Sequence, residues 1–295
     1  MCSMAKIIIR VPATSANVGS GMDSVGIALH MYYTVIVEEE TDHWKVNHAL
    51  GSDIPTDERN LIVQTVLKVD PDIHPHQLTV ISDVPIAHGL GSSTTAVVAG
   101  IKIANALGSL ELPLDDQITM GAKFETHPEN VAAAMLGGLA VSTFDGKHAV
   151  ATKLELPDLY ALVYIRPDGL SEAQSRKKLP QTIDYQTAVR ASSKENVFIA
   201  LVGQGKFDKA VSLIEDDQFH EPYRKDLVPE MAVIKETAHE LGIYSTYLSG
   251  AGPTVATLGE KSALTQLRIE LQEKNLNGSL RLLEVDEQGA TVRGE

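Results

Sequence analysis

An α+β fold in two domains is the architecture that this sequence predicts, and three observations lead there. The length of 295 residues exceeds what one core usually organises. Short β-branched or apolar strands alternate with amphipathic helices. Turn signals such as Asp145-Gly146 suit antiparallel pairing. A boundary near residue 157 separates a β-rich part, 1–157, from a second part, 158–295, that opens on a new apolar strand.

Residues 6–11 read as a first strand, and 25–37, with aromatic and β-branched residues around Tyr32 and Tyr33, as a longer strand or hairpin arm. Residues 53–60 are a polar turn before a short helix, 61–69, with Ile62, Val66 and Val69 on one face. Residues 78–84 form a strand bounded by Asp83 and Pro85. The helix at 94–107 carries Ala96, Val97, Ile101, Ala104 and Leu107 near helical spacing and stops at Gly108. A helix at 114–125 follows, Pro128 can open another at its first turn, and 140–144 is a strand. In the second part, strands are expected at 160–165, 245–248, 254–258 and 280–285. Helices are expected there at 184–203, 206–214, 228–241 and 261–274.

The most informative stretch is Val84-Pro-Ile-Ala-His-Gly-Leu-Gly-Ser-Ser-Thr-Thr95, a glycine-and-serine loop between a strand and a helix. At such a junction unpaired N–H groups and the positive end of the helix dipole face outward. Gly89 and Gly91 let an anion approach the backbone without a Cβ in the way. The expected phosphate site is therefore Pro85, Ile86, Ala87, His88, Gly89, Leu90, Gly91, Ser92, Ser93, Thr94 and Thr95. Ser92 or Ser93 can cap the helix or ligate magnesium, and residue type leaves both open. The loop lacks the GK[ST] ending of a P-loop and reads GxGxxT, not the dinucleotide GxGxxG.

A net charge of −14 opposes a general affinity for nucleic acid or anionic membrane. The single cysteine, Cys2, cannot form an internal disulfide, and no Cys/His cluster has zinc-ligand spacing, which fits a reducing cytoplasm. Lys6 and Arg10 interrupt the apolar N-terminus, and the run 131–141 is too short and glycine-broken to span a bilayer, so a soluble, unexported protein is expected.

Two more segments accompany the loop: Val11-Pro-Ala-Thr-Ser-Ala-Asn-Val-Gly-Ser-Gly-Met-Asp23 and Ser249-Gly-Ala-Gly-Pro-Thr254. In this order the trio resembles the three signature motifs of the GHMP small-molecule kinase superfamily, over most of the chain. His127-Pro-Glu-Asn-Val131, Ser175-Arg-Lys-Lys-Leu-Pro180 and His220-Glu-Pro-Tyr-Arg224 make it most similar, within that superfamily, to the homoserine kinases. The resemblance implies an N-terminal domain like ribosomal protein S5 domain 2 and a C-terminal ferredoxin-like domain, with the active site between them. It further implies ATP and Mg2+ as cofactors and L-homoserine as substrate, phosphorylated to O-phospho-L-homoserine on the way to threonine. Because the family often dimerises, a homodimer is compatible with it.

Phosphoryl transfer asks a protein mainly for positioning and charge. An amino-alcohol acid presents a carboxylate, an ammonium and a hydroxyl, which call for arginine forks, a carboxylate and a neutral polar group. The resemblance assigns Arg176 and Arg224 to the acceptor carboxylate, Asn17 and Asp23 to its polar groups, and His127 and Asn130 to positions beside it. Asn17, Asp23 and Arg176 are thereby catalytic candidates as well. For magnesium it pairs a loop serine with an acidic residue of the preceding helix, here Ser93 and Glu125. Ordinary roles also fit these residue types: surface arginines, a turn-capping Asp23, an Asx-turn Asn17 and a surface Glu125. His220 suits orienting Arg224 better than touching substrate.

The chain departs from the family pattern at several positions. Lys123 and Thr126 stand where Glu and Gly are usual, and Glu172 where a threonine is expected four residues before Arg176. Thr94 replaces a small residue after the serine pair, and Ser20 a proline. No residue stands out as a base with a charge partner, so transfer by positioning is expected, with Asp23 as base the competing idea. Two further readings stay open: a GHMP kinase for a mevalonate-type or sugar acceptor, and a non-catalytic nucleotide or metabolite sensor.

Overall fold

The computed structural model describes residues 6–294, so the lone Cys2 lies outside the described residues. The chain begins with two long antiparallel strands, β1 (Ile7–Ala16) and β2 (Val25–Glu40), in register from Ile7↔Val37 to Ala16↔Gly26. β1 continues past its expected end at Val11. Its second half is covered on both faces, so Thr14 and Ser15 are fully buried and the usual alternation is missing. The register shifts between Pro12 and Ala13, next to a residue with no N–H to give the ladder. β2 is one strand, and its Met31, Tyr33, Val35 and Val37 bury alternate positions.

The first layer continues through β3 (Lys45–Asn47), α1 (Leu61–Val69), β4 (His76–Ser82), α2 (Ser92–Leu107), α3 (Leu114–Glu125), α4 (Glu129–Leu136), β5 (Leu139–Phe144) and β6 (Ala149–Leu154). Asn60 caps α1 by accepting from Ile62 N, which turns Ile62, Val63 and Val66 into the core. α2 buries ten of its residues, from Thr94 to Ala104, as expected of a helix enclosed on most sides. β5 pairs with the start of β2 and with β6, closing the hairpin expected at Asp145-Gly146.

The second layer holds β7 (Tyr160–Ile165), a helical insertion, and the remaining strands. The insertion comprises α5 (Glu172–Arg176), α6 (Tyr185–Gly203), α7 (Phe207–Ala210) and α8 (Glu221–Arg224). After it come α9 (Glu230–Glu240), β8 (Thr246–Leu248), β9 (Val255–Gly259), α10 (Lys261–Glu273) and β10 (Ser279–Glu284). The helix expected at 206–214 is split into α7 and a 3-10 turn, Val211–Asp216. Strand order β10-β7-β9-β8, all antiparallel with α9 and α10 as crossovers, is the ferredoxin-like arrangement. Leu162, Tyr164, Ile234, Leu264 and Leu267 fill the space between this sheet and its helices.

The final strand, β11 (Thr291–Gly294), returns to pair with β1 in the seven-stranded first sheet, ordered β11-β1-β2-β4-β3 with β5 and β6 attached through β2. Phe198 and Val202 of α6, with Tyr247, Ala256 and Leu258 of the second sheet, pack into the same core as the first. The wall between the two layers is therefore continuous, and it supports the cleft described next. Among the described residues no helix is long and apolar enough to cross a membrane.

Candidate active site

Three segments distant in sequence meet at the start of α2. The loop arriving from β4 places Ala87, Gly89 and Gly91 at positive φ (59°, 73° and 70°). Gly91 is the N-cap and supplies no side-chain bond, so α2 starts at Ser92 and neither serine acts as the cap. The first-turn N–H groups are left for a ligand or water. A Cβ on Gly89 would stand 2.4 Å from Ser249 O, and one on Gly91 2.1 Å from Thr14 Oγ1. Only glycine tolerates that approach together with that backbone. Ser249 Oγ donates to Gly89 O at 2.6 Å and Gly250 N to Ala16 O at 3.0 Å, so segment 249–254 and β1 clamp the loop. Thr14 Oγ1 donates to Asn130 Oδ1 at 2.7 Å and ties the clamp to α4.

At this helix start, Ser93 Oγ and Thr94 Oγ1 both donate to Glu125 Oε2, at 2.9 and 2.7 Å. Glu125 ends α3, where Thr126 turns the chain at φ 67°. A β-branched residue takes that conformation only under constraint, which accounts for glycine being usual there. The atypical Thr94 is used, as a second donor to the carboxylate. One carboxylate and one hydroxyl beside a phosphate site match what magnesium takes from protein when phosphates and waters complete its shell. The cation site expected at Ser93 and Glu125 thus has a fitting donor set. Lys123 points to solvent and does not line the cleft. Among the described residues no group of three or more His, Cys, Asp or Glu is placed to hold a metal.

The loop opens into a cleft of about 490 Å³. Tyr33, Leu50, Ile54, Pro55 and Leu61 give it an apolar wall. Asn17, Asp23, His127, Asn130, Arg176 and Arg224, all six expected acceptor residues, line it too. Of the expected phosphate residues, Ile86, Ala87, His88, Gly89, Gly91, Ser92, Ser93 and Thr94 line the cleft, and Pro85, Leu90 and Thr95 do not. Leu90 is fully buried in the core, and Thr95 Oγ1 donates to Ser92 O at 2.8 Å within the helix.

The acceptor residues form one charged network. Arg176 Nη2 and Nη1 donate to Asp23 Oδ1 and Oδ2 at 2.9 and 3.2 Å, and its Nε donates to Glu172 Oε1 at 2.7 Å. Asn17, at φ 62°, accepts from Asp23 N through Oδ1 at 2.9 Å, so its amide shapes the turn that presents Asp23. His127 is 7% exposed and has Glu129 Oε1 at 3.1 Å from Nδ1 and Glu172 Oε1 at 3.5 Å from Nε2. Burial alone would disfavour the imidazolium, but the two glutamates facing its nitrogens prevail and raise its pKa to about 10. His127, and after it Arg176, hold the Glu172 carboxyl down at about 2.

Arg224 is arranged differently. Only 2% exposed, it donates from Nη1 to Gly250 O at 3.0 Å, has His220 Nδ1 at 3.3 Å, and keeps Nε without a partner. Burial, and then the nearby Arg176 charge, lower its pKa to about 10, so it remains a cation at neutral pH. A buried guanidinium with an unused donor is costly until an anion joins it.

Two parts of the site escape the sequence reading. Glu172 is visible there only as a departure, although its i,i+4 spacing to Arg176 on a helix is a signal for the ion pair that forms. The apolar wall takes Ile54 and Pro55 from the stretch 53–60, which reads as a polar turn, and Leu50 from just before it.

Comparison with known proteins agrees with this geometry. Residues 60–138 match the GHMP kinases N terminal domain and residues 199–276 the GHMP kinases C terminal family. A homoserine kinase of Lactiplantibacillus plantarum is 46% identical over 97% of this chain and 99% of its own length. One from Streptococcus suis is 44% identical over 96% and 99%. A solved structure from Listeria monocytogenes, proposed to be a homoserine kinase, is 37% identical, covers 98% of this chain and 99% of its own, and superposes with a TM-score of 0.88. The expected two-domain α+β fold is thereby borne out. With both GHMP regions matched and such identity over nearly its whole length, the chain belongs to the homoserine kinase family of the GHMP kinases.

Proposed function

We propose that this protein is an ATP-dependent kinase that phosphorylates the side-chain hydroxyl of L-homoserine to O-phospho-L-homoserine, a step toward threonine. The observation that carries the reading on the acceptor side is Arg224, a buried cation that lines the cleft and makes no ion pair there among the described residues, which suits an acceptor carboxylate. The relatives' substrate supplies the name of the acceptor.

The chain's own residues divide the work. The backbone of Gly89 to Ser93 would hold the nucleotide phosphates at α2, and Ser93 with Glu125 would hold magnesium. Bound there, Mg-ATP supplies the phosphoryl group and the counter-charge for it. Arg224, beside Arg176, receives the acceptor carboxylate, while Asp23 and Glu172 face its ammonium. Both oxygens of Asp23 accept from Arg176, which suits reading a cation better than removing a proton. Catalysis then rests on positioning the hydroxyl. Full turnover of Asp23→Asn at saturating acceptor would eliminate a base role for Asp23.

The deciding experiment measures ADP release with Mg-ATP and L-homoserine, L-threonine, L-serine or mevalonate. Homoserine-selective release is expected. Release with mevalonate alone would replace the acceptor, and ATP binding without release for any acceptor would favour the sensor reading. A cytoplasmic location and a homodimer accompany the proposal, the dimer to be checked by light scattering.

A further inference from the structure

Arg224 is gripped from the side away from its unused donor, and the grip involves a residue with no part in phosphoryl transfer itself. His220, one helical turn before Arg224, is fully buried, with Nδ1 3.3 Å from Arg224 Nη1. A guanidinium can only donate, so Nδ1 carries the lone pair and the ring proton resides on Nε2. Nε2 faces Asp217 Oδ2 at 3.6 Å. That oxygen also accepts from His220 N at 2.9 Å and Glu221 N at 2.7 Å, and Oδ1 accepts from Phe219 N at 2.8 Å. Asp217 therefore fixes the backbone that carries His220, while Nε2 itself has no hydrogen-bond partner among the described residues. Burial keeps the ring neutral against the pull of Asp217.

We propose that His220, its backbone held by Asp217, is a positioning residue for Arg224 and thereby sets the preference for acceptors that bear a carboxylate. Nη1 is held between His220 Nδ1 and Gly250 O, so the guanidinium cannot swing about its long stem. The residue lines the cleft, and the grip on Nη1 leaves the rest of the guanidinium without a bonded partner there among the described residues. Without the lone pair on Nδ1, Arg224 keeps its charge and loses its aim, and an acceptor with no carboxylate should not register the change. The inference rests on the acceptor chemistry proposed above.

The test compares the unsubstituted full chain, His220→Leu and His220→Asn. Each is assayed with Mg-ATP and either L-homoserine or 3-aminopropan-1-ol, the same amino alcohol without the carboxylate. Leucine fills the space without an acceptor, and asparagine restores an oxygen near Nδ1. For His220→Leu the KM for L-homoserine should rise ~10-fold or more, on the scale of losing one charged hydrogen-bond arrangement. Its kcat, its KM for ATP and its kcat/KM for 3-aminopropan-1-ol should stay within ~3-fold. His220→Asn should recover most of the homoserine KM. Equal losses for both acceptors, an unchanged homoserine KM in His220→Leu, or no recovery in His220→Asn would overturn the proposal. If the leucine variant does not fold, the asparagine variant decides: a homoserine KM near that of the unsubstituted protein is expected, and equal impairment with both acceptors overturns it. Absence of homoserine-dependent ADP release from the unsubstituted protein would count against the activity instead. Calorimetric titration with L-homoserine then compares the unsubstituted and leucine proteins, and equal affinities would reject the role of His220.

Discussion

The phosphate end of the cleft is made of backbone and the acceptor end of charged side chains. At α2 the loop Gly89 to Ser93 contains no lysine or arginine, and its geometry depends on two glycines pressed against Ser249 and Thr14. At the other end Asp23, His127, Glu172 and Arg176 hold one another by ion pairs, and the buried Arg224 stands beside them in the cleft. A backbone cradle accepts any phosphate of suitable shape, whereas a charged network can distinguish one small acceptor from another. Substitutions at one end should therefore change one substrate's kinetics and spare the other's.

The largest effect is expected for Arg224→Ala. It removes the buried cation that has an unused donor, and kcat/KM for L-homoserine should fall ~10³-fold, corresponding to ~4 kcal/mol for a desolvated charged contact. The KM for ATP should move less than ~3-fold. Initial rates with each substrate varied in turn check this, and a parallel rise in the ATP constant would show that the two ends are not separable.

Gly89→Ala tests the opposite end. Its Cβ would meet Ser249 O at 2.4 Å and the residue would sit at φ 73°, so either the loop or segment 249–254 must shift. The KM for ATP should rise ~10²-fold and unfolding stability drop by ~1–3 kcal/mol. Urea unfolding and ATP-dependent rates measure the two effects. An intact ATP constant would mean that the cradle does not depend on this close approach.

The same contrast explains what could be read from the sequence. The phosphate loop was legible because a backbone site is written in one contiguous run, with glycines where φ is positive and a helix immediately after. The paired arginines were legible only through their motifs, since an isolated Arg looks like surface. His127 was legible through its motif, but its pairing with Glu172 needed the fold: one follows α3 and the other opens α5, and nothing in their spacing announces that they meet. The continuation of β1 through Pro12 to Ala16 was missed because strand periodicity vanishes where both faces are buried. The return of β11 to β1 is a long-range pairing that local pattern cannot specify.

A smaller effect is expected at Glu125, the carboxylate proposed to hold magnesium together with Ser93. Glu125→Gln keeps an oxygen for Ser93 and Thr94 and removes the charge. The magnesium concentration for half-maximal rate should rise ~10-fold at fixed ATP, with the homoserine KM little changed. A magnesium titration decides it, and an unchanged midpoint would move the cation away from Glu125.

The smallest effect is a pH dependence confined to the charged end. Folding raises the pKa of His127 from 6.5 to about 10, so the stability it contributes is complete below pH 6.5 and is lost as pH rises through about 10. Glu172 has the opposite sign: lowered from 4.5 to about 2, it contributes above pH 4.5 and loses that contribution as pH falls toward 2. Both groups are charged at neutral pH, which makes the alkaline side the informative one for the histidine. Urea midpoints at pH 7, 8, 9 and 10 should fall more steeply for the unsubstituted protein than for His127→Gln, which has no proton to lose. The KM for ATP should follow the same pH course in both proteins, because His127 lies at the acceptor end and outside the backbone cradle. Parallel urea midpoints would show that His127 is not the cation between Glu129 and Glu172, and the acceptor network would then have to balance its carboxylates on Arg176 and Arg224 alone.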